Sequence, residues 1–198
     1  MPLLRVTHIQ QFVILGLWEM TEHPSEFPEW YEEACRRYRA EGRQREYVCV
    51  RALLRKMTDN DPSWIISHEQ NGKPILQNGW HISISHTKGF CTVIISPDQT
   101  VAVDIEYTSN RVERIAHKFI REDEKADTIE EKLIHWSAKE TMYKLYSDDR
   151  LGFEEMRLLP FTLQKQGIVL TENLRRSTAV EVSYEINSSY VLTYAVIA

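Results

Sequence analysis

The sequence has few cysteines, and none of them is spaced as in a metal or redox motif. Cys35, Cys49 and Cys91 are odd in number, and no two of them form a Cys-x-x-Cys pair. A disulfide framework and a zinc ribbon are therefore not expected. This cysteine usage fits a reducing compartment, and we expect a cytoplasmic protein.

Long hydrophobic runs are also missing. The apolar run near the start, FVILGLW at residues 12–18, lacks a basic region before it and a small-residue cleavage site after it. It predicts a β-strand rather than a signal peptide. No run approaches the roughly 20 apolar residues that a transmembrane helix needs. The sequence contains no low-complexity stretch and no exact repeat.

Positive charge is in short supply overall. The chain has 24 Lys and Arg against 29 Asp and Glu, a net charge of −5, which argues against a general partner of nucleic acids or membrane surfaces. With 42% hydrophobic and 10% aromatic residues, the chain can still form a core. Residues 36–56 contain eight basic and two acidic residues, a pattern that fits a small polyanion. Residues 121–131 contain six acidic and two basic residues, and we predict a mostly solvated helix there.

The order of predicted elements indicates an α+β fold built from two halves. Periodicity predicts helices at residues 26–40, 43–57, 112–119 and 129–146. Residues 1–20 are strand-like, and further strands are predicted at 65–66, 75–76, 81–86, 91–96, 101–107, 160–163, 167–170, 179–186 and 189–196. The turn at residues 97–100 separates an N-terminal lobe, 1–99, from a C-terminal lobe, 100–198.

Two carboxylates share one face of the strand predicted at residues 101–107. Alternation places Val101, Val103 and Ile105 on one face, and Asp104 and Glu106 on the other. The apolar face is expected to enter the core, while the two acids meet at one small site. The competing interpretation is an ordinary solvent-exposed strand face.

A third carboxylate lies in the helix predicted at residues 129–146. Glu140 falls in a helical stripe where an apolar residue is expected; the other members are Ile129, Leu133, Trp136 and Tyr143. A charge there needs a partner or a metal, or must stay at the rim. Lys144 follows one turn later, so an intrahelical Glu140–Lys144 pair is the simpler alternative.

Together the two segments predict a metal site. Asp104, Glu106 and Glu140 provide only oxygen ligands, which suit a hard cation such as Mg²⁺ combined with water and substrate phosphate. No HExxH motif, EF-hand loop or cysteine cluster offers a competing site.

Basic residues of the first half are candidates for phosphate binding. Arg43, Arg51 and Lys73 are of the type that binds phosphate by charge and hydrogen bonds, although a solvated helix face is an equally good explanation. Ser85 and His86 end a predicted strand, where a histidine is more often structural than catalytic. No nucleophile elbow, P-loop or GxGxxG motif supports a hydrolase or a Rossmann enzyme.

The order of these motifs resembles that of the 4′-phosphopantetheinyl transferase superfamily, in its two-lobed, surfactin-synthetase-activating type. The matching segments are Gly72-Lys73-Pro74, Ile84-Ser85-His86, Val103-Asp104-Ile105-Glu106, Phe119 to Glu124, and Trp136-Ser137-Ala138-Lys139-Glu140 with Lys144. The resemblance implies two similar α+β lobes in a pseudo-twofold arrangement. It also implies transfer of 4′-phosphopantetheine from coenzyme A to a carrier-protein serine, with release of adenosine 3′,5′-bisphosphate.

The resemblance assigns roles to the acids and the lysine of the second half. Asp104, Glu106 and Glu140 match the magnesium ligands, and Lys144 matches a lysine near the pyrophosphate that neutralises or protonates the leaving phosphate. Glu124 matches an acid that contacts the metal site or helps to deprotonate the serine. A solvated helix-terminal charge is the alternative for Glu124.

The resemblance also assigns coenzyme A contacts to the first half. Lys73 and His86, the latter preceded by Ser85, match phosphate contacts. Arg43 matches the arginine that binds the 3′-phosphate, with Arg51 as a helper, and a shift of one or two residues would place Arg45 there instead.

One departure from the family pattern concerns Ala102, which stands where glycine is usual. Two alternative functions stay open beside the transferase: a coenzyme A-binding adaptor that no longer transfers, and a magnesium-dependent nucleotide pyrophosphohydrolase. The sequence does not identify the acyl or peptidyl carrier protein or its docking surface. Two lobes in one chain favour a monomer.

Overall fold

The computed structural model describes residues 2–198 and divides into two compact units. One unit ends at Gln99, and the other begins at Thr100. Each unit contains an antiparallel sheet packed with helices, so the predicted α+β class is confirmed.

The first unit forms a four-stranded sheet and a separate hairpin. Its elements are β1 (Leu3–Gln10), β2 (Val13–Glu19), α1 (Pro28–Arg37), α2 (Glu41–Met57), β3 (Ile66–His68), β4 (Pro74–Leu76), β5 (His81–Thr87) and β6 (Phe90–Ser96). The sheet order is β1-β2-β6-β5, and β3 pairs with β4. Pro28 begins α1, a position where its missing N–H costs nothing.

The core of the first unit lies between α2 and the middle of the sheet. Leu53 and Leu54 of α2 are almost fully buried, and α2 packs against β2 and β6. Gly16 of β2 allows this close approach, since a Cβ at that position would lie 2.5 Å from the Met57 sulfur. The packing fixes α2 and its basic residues on the sheet.

The second unit forms a five-stranded sheet with one long helix. Its elements are β7 (Thr100–Tyr107), α3 (Ile129–Leu145), β8 (Met156–Leu158), β9 (Gln166–Asn173), β10 (Thr178–Ile186) and β11 (Tyr190–Ile197). The strand order is β7-β11-β10-β9-β8. Because α3 packs on β7 and β11, residues of one face of β7 lie against the helix.

The buried face of α3 differs from the predicted stripe. Ile134, Ala138 and Met142 are fully buried, whereas Tyr143 is 43% exposed. Glu140 lies half-buried at the rim, which is one of the positions expected for a charge in this stripe. Leu133 of the predicted stripe is buried in the same core, whereas Ile129 and Trp136 are only partly buried against it.

Three local predictions are wrong. The helix expected at 112–119 consists of two short 3₁₀ helices, Asn110–Arg114 and Ala116–Lys118. The strand expected at 160–163 is irregular; the strand that pairs with β9 is Met156–Leu158 instead. Residues 121–128 are also not helical, because the capping box of Thr128 and Glu131 starts α3 only at Ile129. For the segment at 160–163, one reason is that Pro160 lacks the backbone N–H needed for hydrogen bonding in a sheet.

The remaining expectations concern thiols and membrane spans. Cys35, Cys49 and Cys91 are free cysteines in the described chain, in line with the prediction of no disulfide framework. Between residues 2 and 198, no helix is both long and apolar enough to cross a membrane.

Candidate active site

The two carboxylates of β7 face α3. Asp104 is only 4% exposed, and Ala102 on the same face is fully buried in the core that includes α3. The alternative of an exposed strand face is therefore wrong for Asp104. Val103 and Ile105, on the opposite face of the strand, are also fully buried. The strand thus carries ionisable groups into a largely enclosed position.

Asp104 is held by two side chains of α3. Lys144 Nζ donates to Asp104 Oδ1 over 2.8 Å and to the Val103 carbonyl over 2.9 Å. Ser137 Oγ donates to Asp104 Oδ2 over 2.8 Å. Lys144 therefore makes its ion pair across to β7, and not within the helix to Glu140 as the simpler alternative proposed.

Glu106 and Glu140 complete a group of mutually repelling carboxylates. The Trp136 indole donates to Glu106 Oε1 over 2.9 Å. Burial, reinforced by the charge of Asp104, raises the pKa of Glu106 to about 7, against the opposing effect of the indole hydrogen bond. Burial and Asp104 also raise the pKa of Glu140 above its ordinary range. The structure therefore brings together the three acids that the sequence analysis selected.

These acids fit a hard divalent cation by their chemistry. All the candidate ligand atoms are carboxylate oxygens, and the pKa values of Glu106 and Glu140 are raised by burial and by the charge of Asp104, effects that Lys144 only partly offsets. Among the described residues, no three His, Cys, Asp or Glu side chains are already gathered in a metal-binding arrangement. Lys144 instead supplies positive charge to Asp104.

Glu124 lies in a separate, fully enclosed cluster. Its side chain is 0% exposed, as is that of Lys139, whose Nζ donates to Glu124 Oε2 over 2.6 Å. The amides of Arg121 and Leu158 donate to the two carboxylate oxygens over 2.8 and 2.7 Å. The alternative of a solvated helix-terminal charge is therefore wrong, because Glu124 is buried and precedes the helix.

Electrostatics keep Glu124 ionised. Burial opposes its charge, but nearby His135, the two amides and Lys139 outweigh burial and lower the pKa of Glu124 to about 2. Burial lowers the pKa of Lys139, against the effect of Glu124. A carboxylate with so low a pKa is a weak proton acceptor at neutral pH.

The first unit has a basic pocket between α2 and the strands. The cavity has a volume of about 120 Å³ and is lined by Tyr38, Arg43, Glu46, Tyr47, Val50, Arg51, Ile66, His68, Ile84 and His86. Three residues selected from the sequence, Arg43, Arg51 and His86, therefore line one cavity. Glu46 lies among them, 2.8 Å from Arg43 Nη1 and 3.5 Å from His86 Nδ1.

Arg51 forms the inner wall of this pocket. Its guanidinium carbon lies 3.4 Å from the centre of the Tyr47 ring, and Nη1 donates to the Tyr47 carbonyl over 3.1 Å. Burial lowers the pKa of Arg51, although guanidinium remains charged at neutral pH. The stacked, half-buried cation is suited to binding an anion.

The other predicted coenzyme A residues lie outside the wall of that cavity. Within the described chain, neither Lys73 nor Ser85 lines it. Lys73 follows a turn at Gly72, whose φ of +90° favours glycine, and Ser85 is buried in β5. Arg45, the alternative to Arg43, pairs with Glu41 over 2.6 Å along the helix and is not part of the wall.

Sequence reasoning missed several residues of both regions. Tyr47 and His68 line the basic pocket, and Lys139 anchors Glu124. Lys139 is part of the segment Trp136-Ser137-Ala138-Lys139-Glu140 that the sequence analysis selected. A lysine among apolar residues of α3 is a sequence signal for a buried ion pair. Thr193, which touches Ser137 and Thr141, had no such signal because its position depends on strand pairing.

Comparison with known families identifies the chain. A family model described as the 4′-phosphopantetheinyl transferase superfamily matches residues 100–195, and one described as the 4′-phosphopantetheinyl transferase N-terminal domain matches residues 32–96. The two matches cover most of the chain, so the protein belongs to the 4′-phosphopantetheinyl transferase superfamily and has its two-domain arrangement. A search of curated proteins found no match.

Proposed function

We propose that the protein transfers 4′-phosphopantetheine from coenzyme A to a serine of an acyl or peptidyl carrier protein. The reaction depends on Mg²⁺ and releases adenosine 3′,5′-bisphosphate. The observation that carries this proposal is the group of Asp104, Glu106 and Glu140 beside Lys144, within the region that matches the superfamily. Family membership supports coenzyme A and a carrier protein as the two substrates.

The carboxylates are proposed to hold Mg²⁺. When bound there, the metal offsets negative charge on the pyrophosphate as the bisphosphate departs. Asp104 and Glu106 stay in place because α3 donates two hydrogen bonds to Asp104, from Ser137 and Lys144, and one to Glu106, from Trp136. Glu140 approaches from the helix itself and serves as a ligand with a catalytic role.

Lys144 is proposed to act on the leaving phosphate. Its side chain is 27% exposed, and its ammonium nitrogen lies 2.8 Å from Asp104 Oδ1, so it reduces the repulsion among the acids and places a positive charge beside them. Positive charge beside the leaving group stabilises the charge that develops in phosphoryl transfer.

Glu124 is proposed to anchor the site and not to act as the base. Its oxygens already accept from Lys139 and from two backbone amides, and its low pKa disfavours proton uptake. The pair joins the segment before α3 to the helix that carries Glu140 and Lys144. The physical role is then to fix the position of α3.

The first unit is proposed to bind the phosphates of coenzyme A. Arg43, Arg51 and His86 line a pocket that suits a 3′-phosphate, while Lys73 and Ser85 are proposed as further contacts. Binding there positions a large substrate, which is the main source of catalysis when little covalent chemistry falls to the protein. Three free thiols fit work in the cytoplasm, and we propose a monomer.

A mass-spectrometric assay tests this function. The protein is incubated with coenzyme A, Mg²⁺ and a panel of apo acyl and peptidyl carrier proteins, and the intact mass of each carrier is measured. We expect one carrier or more to gain a single phosphopantetheine, with stoichiometric release of adenosine 3′,5′-bisphosphate. Omission of Mg²⁺ is expected to stop the gain.

Two other results would overturn the proposal in favour of the alternatives. Release of the bisphosphate without any carrier indicates a pyrophosphohydrolase. Binding of coenzyme A without either product indicates an adaptor that has lost the chemistry.

A further inference from the structure

A chain of buried hydroxyl groups ends on Asp104. Thr141 Oγ1 lies 2.7 Å from Thr193 Oγ1, Thr193 Oγ1 lies 2.9 Å from Ser137 Oγ, and Ser137 Oγ lies 2.8 Å from Asp104 Oδ2. The three hydroxyl-bearing residues are fully buried, with 0% exposure each.

Secondary structure places the four residues together. Thr193 of β11 is the direct cross-strand partner of Asp104 on β7, so their side chains share the face that meets α3. Ser137 and Thr141 lie one turn apart on the helix, and their side chains therefore point in the same direction. The chain of hydroxyl groups therefore connects β7 and β11 with α3.

The direction of every hydrogen bond in the chain follows from the carboxylate at its end. Asp104 is ion-paired with Lys144 and, as a carboxylate, can only accept. Ser137 has a single proton and must donate it to Asp104, so it accepts from Thr193. Thr193 has then used its proton, so at their 2.7 Å contact it accepts from Thr141, whose hydroxyl also lies 3.5 Å from the Thr193 carbonyl oxygen. The protons point in sequence from Thr141 through Thr193 and Ser137 to Asp104.

A chain with one direction polarises its members, so each donor strengthens the next. Together with Lys144 on the other oxygen, it fixes both oxygens of Asp104. Apolar side chains of the same size would fill this helix–sheet contact without hydrogen bonds. The hydroxyl groups are therefore explained better by the orientation of Asp104 than by packing alone.

We infer that Ser137, Thr193 and Thr141 are positioning residues that hold Asp104 for metal binding. This inference rests on the proposed function only in taking Asp104 as a metal ligand. Hydrogen-bond partners of metal ligands fix the ligand orientation, and their loss commonly weakens metal affinity by about 10- to 100-fold.

The test compares Thr193→Val, which keeps the shape and breaks the chain, with Thr193→Ser, which keeps the hydroxyl group. Mn²⁺ binding to the folded protein is measured by electron paramagnetic resonance, with and without coenzyme A. We expect Thr193→Val to weaken Mn²⁺ affinity about 10-fold and Thr193→Ser to stay within about twofold of the wild type. Thr141→Val is expected to change affinity in the same direction by a smaller factor.

Thr171→Val is the matched control. Thr171 is fully buried in the sheet of the same unit, and its hydroxyl finds no hydrogen-bond partner among residues 2–198. The same substitution there is expected to leave Mn²⁺ affinity unchanged. Thermal unfolding of all variants separates a loss of folding from a loss of metal binding.

The outcomes distinguish this inference from the proposed function. Suppose that the wild type binds Mn²⁺ and modifies a carrier, and that Thr193→Val binds Mn²⁺ as tightly as the wild type. The hydroxyl groups then contribute only to packing, and the inference is wrong. If the wild type binds Mn²⁺ but modifies no carrier, the proposed function fails while the affinities still test the chain. A wild type that binds no Mn²⁺ overturns both.

Discussion

At the scale of single residues, the structure separates two acids that the sequence treats alike. Glu106 is half-buried, and its partial burial together with the charge of Asp104 raises its pKa to about 7. The Glu124 side chain is fully buried, but His135, two backbone amides and Lys139 outweigh the effect of burial, and its pKa falls to about 2. The difference follows from the neighbours and not from the residue type.

The buried Glu124–Lys139 pair is expected to contribute strongly to stability at neutral pH. Glu124→Gln leaves Lys139 charged and unpaired in the core, so we expect a loss of about 3–5 kcal/mol in the free energy of unfolding. Urea denaturation measures this loss. The double variant Glu124→Gln with Lys139→Met is expected to be less destabilised than the single variant, because no unpaired charge is left.

The stabilisation by Glu124 is expected to depend on pH. Its pKa in the folded protein, about 2, lies below its ordinary value of 4.5. The contribution is therefore complete above about pH 4.5 and is lost as the pH falls toward 2. The gap in unfolding free energy between wild type and Glu124→Gln should shrink between pH 6 and pH 3. A gap that stays constant would show that Glu124 ionisation does not stabilise the fold.

Arg43 is expected to distinguish coenzyme A from 3′-dephospho-coenzyme A. A charged hydrogen bond contributes about 1.5–3 kcal/mol, so Arg43→Ala should weaken coenzyme A binding by about 10-fold or more and affect the dephosphorylated ligand little. Calorimetric titration with both ligands measures the difference. Arg36→Ala is the control, since Arg36 is exposed on α1 and does not line the pocket. Equal losses for both ligands would refute the 3′-phosphate role.

At the scale of secondary structure, α3 organises the candidate site. From α3, Trp136 donates a hydrogen bond to Glu106, and Ser137 and Lys144 donate to Asp104. The helix also carries Glu140. A capping box between Thr128 and Glu131 defines where the helix starts. The start of α3 is therefore important for the stability of the element that holds the site.

Loss of the cap is expected to weaken the fold without changing the chemistry. Thr128→Ala removes the side chain that accepts from the Glu131 amide, and we expect a loss of about 1 kcal/mol in stability. Thr128→Ser keeps the acceptor and should restore most of it. Thermal unfolding measures both. A Thr128→Ala protein as stable as the wild type would show that the cap contributes nothing.

Sequence patterns predicted the long elements well and the short ones poorly. The helix that periodicity predicts at 129–146 is confirmed, and in the structure a capping box of Thr128 and Glu131 precedes it. The helix expected at 112–119 is wrong because two short 3₁₀ helices occupy this region, a choice that periodicity does not encode. Pairing of Asp104 with Thr193 required strand register, which no local pattern contains.

At the scale of the whole molecule, the two units divide the proposed work. The first unit presents a pocket with Arg43, Arg51 and His86, and the second presents three acids and Lys144. The net charge of −5 hides this division, because the excess of basic residues at 36–56 lies in the first unit and the three acids lie in the second.

The most direct test of the account is the loss of transfer in Asp104→Asn. Asparagine keeps the size of the side chain and removes the charge, and the exposed Asp127 of the same unit provides the matched change Asp127→Asn. The measurement is the intact mass of an apo-carrier protein after incubation with coenzyme A, Mg²⁺ and each variant. We predict at least a ~100-fold slower gain of phosphopantetheine for Asp104→Asn, and an unchanged rate for Asp127→Asn. Transfer at the wild-type rate by folded Asp104→Asn would contradict the account.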